Sequence, residues 1–169
     1  EHPLNKNEAR QFINWANQHF PQVSINLYSG KDWMTDHLDQ WSQEEARITG
    51  EKPHILPLLD PLLDTTKPLH KLLLIGEPEE IQALYRTIST DDFPSTAFYL
   101  SKANYLEVTA KHVSKEDALV ELANHYHLSL EEVLTMGDNF NDLPMLKKAG
   151  IGVAMGNAPQ EVKEGATVV

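Results

Sequence analysis

The chain has 169 residues, 41% of them hydrophobic, no cysteine, and a formal net charge of −11 from 14 basic and 25 acidic residues. That length can bury one sizeable core or two small ones, because domains typically run ~100 to 150 residues. The acidic balance argues against nucleic acid as a partner, the missing cysteines exclude disulfides and thiol catalysis and agree with a cytoplasmic location, and no apolar run approaches the ~20 residues that span a bilayer.

In chain order, a helix is predicted from Asn7 or Glu8, with Phe12, Trp15, Ala16 and His19 along one side, followed by a strand over residues 23–28. A turn at Ser29-Gly30-Lys31-Asp32 leads into an amphipathic helix marked by Met34, Leu38 and Trp41, which ends near Gly50. Residues 53–68 are proline-rich and expected to be irregular, with Leu56, Leu58, Leu59, Leu62 and Leu63 tucked against the rest. Residues 71–75 read as strand, 77–88 as helix, and 96–100 with 105–109 as a hairpin. Helices mixed with antiparallel strands imply an α+β region over residues 1–110, with its helices on one face of the sheet.

A second region begins near Lys111. Residues 114–125 are predicted helical with Ala118, Leu119, Leu122 and Ala123 inward, and Ser129 caps a turn before a short buried strand over residues 134–136. That strand opens Leu134-Thr135-Met136-Gly137-Asp138-Asn139-Phe140-Asn141-Asp142, the one segment that looks built for chemistry. Gly137 is expected to let the backbone turn sharply and to bring Asp138 and Asp142 together at the strand's carboxyl end, where open α/β sheets place ligands. Asp142 then caps a helix that carries Pro144 in its first turn, presents Leu143, Leu146 and Ala149 on one face, holds Lys147 and Lys148 in its last turn and stops at Gly150. Two carboxylates beside helix amides suit a hard cation and a phosphate, whereas the plainer reading is a turn residue and a cap. An EF-hand is excluded, because Phe140 takes the third ligand position and Leu143 the glycine position.

The segment 150–158, Gly-Ile-Gly-Val-Ala-Met-Gly-Asn-Ala, reads as a further buried strand ending in a glycine turn, with a short helix over 159–164 and strand character again over 166–169. Alternating strands and helices imply a parallel sheet, and hence α/β character for this second region. The glycine spacing does not fit a dinucleotide fingerprint. His125 and His127, two apart at a helix end, face different sides and make a poor zinc pair. Trp33 and Trp41 read as core aromatics rather than as the lining of a substrate pocket.

The combination of Gly137-Asp138-Asn139-Phe140-Asn141-Asp142, Met145-Leu146 with Ala149-Gly150, Gly152-Val153-Ala154-Met155-Gly156-Asn157-Ala158, and Val113-Ser114-Lys115 with Ala118-Leu119 resembles the carboxy-terminal part of Cof-type phosphatases of the haloacid dehalogenase superfamily. Weaker matches lie at Lys71-Leu72-Leu73-Leu74-Ile75-Gly76, at Pro78-Glu79-Glu80-Ile81 and at Asn104-Tyr105-Leu106-Glu107-Val108. The resemblance implies a Rossmann-like α/β core, of which residues 111–169 are the second half, and an α+β cap over residues 1–110. It implies Mg²⁺ as cofactor and a small phosphorylated metabolite as substrate. Asp138 would bind the metal, Asn141 would contact the substrate phosphate, Asp142 would be a second acidic residue supporting catalysis, and Lys115 would neutralise charge on nucleophile and phosphate. Glu116 departs from the pattern, since relatives usually carry glycine there, and it is a potential competitor for Lys115.

Family members also carry a nucleophilic aspartate in an amino-terminal D-x-D motif, and this chain has no Asp-x-Asp. A fragment of a larger phosphatase is therefore expected, inactive on its own, with a half-core either poorly ordered or rescued by self-association. The alternative is a non-catalytic module that binds a ligand or partner.

Overall fold

A computed structural model describes residues 2–169 and divides them into two compact units, residues 2–111 and 112–169. Together they have an α/β architecture, a mixed six-stranded sheet in the first unit and a parallel strand pair in the second, both with helices packed on them.

The first unit contains α1 (Lys6–His19), β1 (Ser24–Ser29), β2 (Asp32–Thr35), α2 (Gln40–Thr49), β3 (His54–Ile55), α3 (Asp60–Leu63), β4 (Lys71–Ile75), α4 (Pro78–Thr87), β5 (Thr96–Lys102) and β6 (Tyr105–Ala110). The sheet order is β3-β2-β1-β4-β6-β5, antiparallel throughout except where β2 meets β3. Asn5 caps α1 through its side-chain oxygen, and the buried face of α1 is Ala9, Phe12, Ile13 and Ala16. Ile13 thus replaces the expected His19, which is exposed and bonds back to the Trp15 carbonyl. That face meets Ile25, Leu27, Met34, Leu72, Leu74, Leu106 and Val108 from the sheet, together with Ile81 and Leu84 of α4.

The expected single helix from Met34 to Gly50 is instead a strand followed by a shorter helix. Gly30, at φ +59°, closes a tight turn so that Ser29 pairs with Asp32 and Tyr28 with Trp33, which continues the sheet as β2. Asp39 then accepts from the Ser42 N–H at 2.7 Å in a capping box, so α2 starts only at Gln40, and Gly50, at φ +75°, ends it.

The helices do not all share one face of the sheet, as had been expected. Alternation along the strands sends Asn26, Trp33, Leu73, Ile75, Tyr105 and Glu107 to the side opposite α1. There Trp41 of α2 packs on Leu73, Ile75 and Tyr105, and the Tyr105 hydroxyl donates to Glu45 at 2.6 Å. Trp33 is buried in this layer, its indole N–H bonded to Asn26 at 2.9 Å. In the proline-rich segment Leu58 and Leu62 are buried, whereas Leu59 and Leu63 are exposed.

The second unit contains α5 (Lys115–His125), a 3₁₀ turn (Leu130–Glu132), β7 (Leu134–Gly137), α6 (Leu143–Lys148), β8 (Ile151–Ala154) and α7 (Gln160–Gly165). β7 and β8 run parallel in the register Leu134↔Ile151 to Gly137↔Ala154, and the final segment adds only a bridge from Val153 to Val168. The core is Leu146, Ala154, Ala158 and Val162. Gly152 permits it to close, because a Cβ there would lie 2.1 Å from the Leu146 carbonyl oxygen.

Two burial expectations fail here. Leu134 and Met136 are 55% and 57% exposed, since only the Thr135 and Gly137 face of β7 is covered. On α5, Leu119 and Ala123 are buried but Ala118 and Leu122 are exposed. Nor does Gly150 act as a left-handed stop: α6 ends at Lys148, and Gly150 lies where a Cβ would meet the Glu131 carbonyl oxygen at 2.2 Å.

Candidate active site at the ends of two parallel strands

Because β7 and β8 are parallel, their carboxyl ends share one edge, and the Met155 N–H donates to the Gly137 carbonyl at 2.9 Å to hold the two following loops together. The first loop, residues 138–142, carries Asp138, Asn141 and Asp142. The second, residues 155–158, carries Asn157.

Asp142 is the organising residue. It does not cap α6, contrary to the simple helix-start reading; its backbone is already helical and its side chain folds back over its own loop. Oδ2 accepts the N–H groups of Asp138 at 3.0 Å and Asn139 at 3.1 Å, while Oδ1 accepts from the Lys115 ammonium. Asp142 is only 3% exposed. Burial pushes its carboxyl toward the neutral form, but the Lys115 ammonium and the two backbone N–H groups outweigh burial and hold it below the usual aspartate range.

Gly137 makes room for this arrangement. Its φ is not left-handed, so the expected sharp turn is not the reason for glycine. A Cβ at position 137 would instead meet Asp142 Cβ at 2.4 Å and Cγ at 2.7 Å, so the space over the strand end belongs to the carboxylate.

Lys115 is the first residue of α5, directly after its cap Ser114, whose hydroxyl accepts from the Asp117 N–H at 2.9 Å. Its side chain is half exposed, so the ammonium is accessible to a ligand while held by Asp142. Glu116, the suspected competitor, pairs instead with Lys148 at 3.4 Å. Asn141 is half-buried in the turn between the two aspartates.

Asp138 is exposed, and Asn157 points its side-chain amide at Asp138 Oδ2 across 3.5 Å. The two aspartates therefore differ in chemistry. Asp142 has its oxygens occupied by an ammonium and two amides, whereas Asp138 presents a carboxylate to solvent, as a hard cation requires. Among the described residues no three His, Cys, Asp or Glu side chains converge as a metal cage. Mg²⁺ usually takes only one or two carboxylates, waters and a substrate phosphate, so Asp138 fits as one donor of such a set. Asn157 lies within a segment singled out by the sequence, but no role could be assigned to it there, because its contact with Asp138 arises only from the pairing of β7 with β8.

The whole chain, residues 1–169, matches the family of haloacid dehalogenase-like hydrolases. It is 37% identical over 158 residues to a Haemophilus influenzae protein provisionally named a phosphatase, covering 93% of this chain and 58% of that protein. It is 30% identical over 142 residues to the HMP-PP phosphatase of Yersinia enterocolitica, covering 84% of this chain and 51% of that one. Among solved structures it resembles a haloacid dehalogenase-like hydrolase from Bacteroides thetaiotaomicron with a TM-score of 0.78 and 29% identity, covering 99% of this chain and 62% of the other. The chain thus spans between about half and three fifths of the length of these curated relatives. It belongs to the haloacid dehalogenase-like hydrolase family.

Proposed function

We propose that this chain forms the cap, residues 1–110, and the carboxy-terminal half of the core, residues 111–169, of a Mg²⁺-dependent phosphatase for small phosphorylated metabolites in the cytoplasm. The observation that carries the reading is the division of labour at one strand edge. There, Lys115 is clamped by a buried, ionised Asp142 beside an exposed Asp138. The names of the relatives point the same way, and HMP-PP is an example of a small phosphorylated compound. No helix among the described residues is long and apolar enough to cross a membrane.

In this reading Mg²⁺, when bound, offsets negative charge on the phosphoryl oxygens. Asp138 holds one side of it. Lys115 sets a positive charge against the phosphate, and Asp142 fixes where that charge sits. Asn141 orients a phosphate oxygen without adding charge. The phosphoryl group would pass from the ester oxygen of the substrate, which leaves as the alcohol, to an aspartate carboxylate that residues 1–169 do not offer in a D-x-D motif, and water would then cleave the acyl phosphate to inorganic phosphate and the free aspartate.

The test is phosphate release from a panel of phosphorylated metabolites by the full-length gene product, with Mg²⁺ and with a chelator. Metal-dependent release that falls at least tenfold in Lys115→Ala is expected. Binding of metabolites with no release under any condition would favour the non-catalytic binding module instead.

A further inference from the structure

Asn157 sits on a different loop from Asp138, yet its side-chain Nδ2 faces Asp138 Oδ2 at 3.5 Å. The backbone around it is over-determined. The Met155 N–H is fixed to the Gly137 carbonyl at 2.9 Å, the Ala158 N–H returns to the Met155 carbonyl at 2.8 Å, and Ala158 is buried with Leu146, Ala154 and Val162. The loop is therefore pinned on both sides of Asn157, while Gly156 keeps the space beside it open, with nothing within 4 Å of where its Cβ would be. Asn157 itself is exposed, so packing does not account for its direction.

We propose that Asn157 is a positioning residue for the metal-binding carboxylate: its amide donates to one oxygen of Asp138 and turns the other toward the cation. This rests on the reading of Asp138 as a metal donor. An amide suits the task because it orients an anion without neutralising it, whereas a lysine at the same place would compete with the metal for Asp138. A loop pinned to the neighbouring strand gives the carboxylate an orientation that its own exposed loop does not supply. Groups that orient metal ligands typically change affinity 10- to 100-fold on removal, and the length and exposure of this contact place it near the lower end.

The experiment is Mn²⁺ titration of the full-length gene product, reading free Mn²⁺ by electron paramagnetic resonance without substrate, for native protein, Asn157→Ala, Asn157→Gln and Asp138→Ala. The expected result is a dissociation constant about tenfold higher in Asn157→Ala, recovery to within about twofold of native in Asn157→Gln, whose longer arm still carries the amide, and loss of the site in Asp138→Ala. Affinity unchanged in Asn157→Ala while Asp138→Ala has lost the site overturns the inference alone, as does Asn157→Gln binding no better than Asn157→Ala. Affinity unchanged in Asp138→Ala, or no Mn²⁺ binding by native protein, overturns the reading of Asp138 and the inference with it.

Discussion

The missing side chain of Gly137 and the carboxylate of Asp142 occupy the same volume: a Cβ on residue 137 would lie 2.4 Å from Asp142 Cβ and 2.9 Å from its Oδ2. Even the smallest side chain there must move Asp142, which is itself tied to Lys115 and two backbone amides. Gly137→Ala is expected to destabilise the second unit by about 1–3 kcal/mol and to depress turnover in the full-length protein by more than that loss of folded protein explains. Denaturant unfolding alongside steady-state kinetics checks both, and full activity in a stable Gly137→Ala protein would show that the carboxylate tolerates displacement.

The depressed titration of Asp142 carries a pH signature. A carboxyl with a lower value folded than unfolded contributes stability that is complete above the unfolded value of ~3.9 and disappears as pH falls through the folded one. Lys115→Met removes the side-chain partner that lowers it, so the stability gap between native and variant should be widest near neutral pH and shrink below about pH 4. Guanidinium melts across that range measure the gap. A difference that stays constant down to acid would mean that the pair is not coupled to the titration.

Asp138 and Asn141 should separate by phenotype. Asp138→Ala is expected to lower turnover by about two orders of magnitude or more with little change in melting temperature, because the exposed carboxylate makes no core contact. Asn141→Ala should weaken substrate use while leaving the Mg²⁺ requirement near native. An equal loss of metal affinity in both variants would contradict the division of roles.

In the first unit, Tyr105 and Glu45 are both buried and joined at 2.6 Å, and burial together with this bond pushes the Tyr105 phenol well above its ordinary value. Tyr105→Phe leaves the Glu45 carboxyl without that donor and should cost about 1–3 kcal/mol in thermal unfolding. A neutral substitution would mean that water replaces the hydroxyl.

The bare face of β7 and β8, with Leu134, Met136 and Ile151 exposed, should make the 169-residue chain associate as its concentration rises. Light scattering on native chain and on Leu134→Lys with Met136→Glu checks this. The double variant is expected to scatter as a monomer, and a native chain that stays monomeric throughout would remove self-association from the account.

Much of the architecture was readable because local signals agreed with one another. The hairpin of β5 and β6, the strand β4 and the caps at Ser114 and Ser129 all follow from alternation or from a hydroxyl placed before a helical turn. The segment around Met34 misled, because apolar residues at 34, 38 and 41 fit a helical period, while the decisive features were a glycine at positive φ and a capping aspartate. At the site, the sequence points to Lys115, Asp138, Asn141 and Asp142 through a resemblance, yet nothing in their spacing distinguishes the filled aspartate from the open one. That distinction depends on a lysine 27 positions upstream reaching Asp142, a contact invisible to any local pattern. Burial was overestimated on β7 for a related reason, since an apolar strand does not report whether its second face is covered.

Lys115 and Glu116 are adjacent, yet they grip opposite ends of one helix: Lys115 holds Asp142, just before α6, and Glu116 holds Lys148, its last residue. Six residues of helix, about 9 Å, are thus bracketed like a rod between calliper jaws of opposite sign, and it is the residues they hold, Asp142 at the amino end and Lys148 at the carboxyl end, that match the polarity of the helix. The two contacts set the axial register of α5 against α6, so a slide that eased one would strain the other. Exchanging the two residues, Lys115→Glu with Glu116→Lys, would preserve composition and net charge while setting like charges at both jaws.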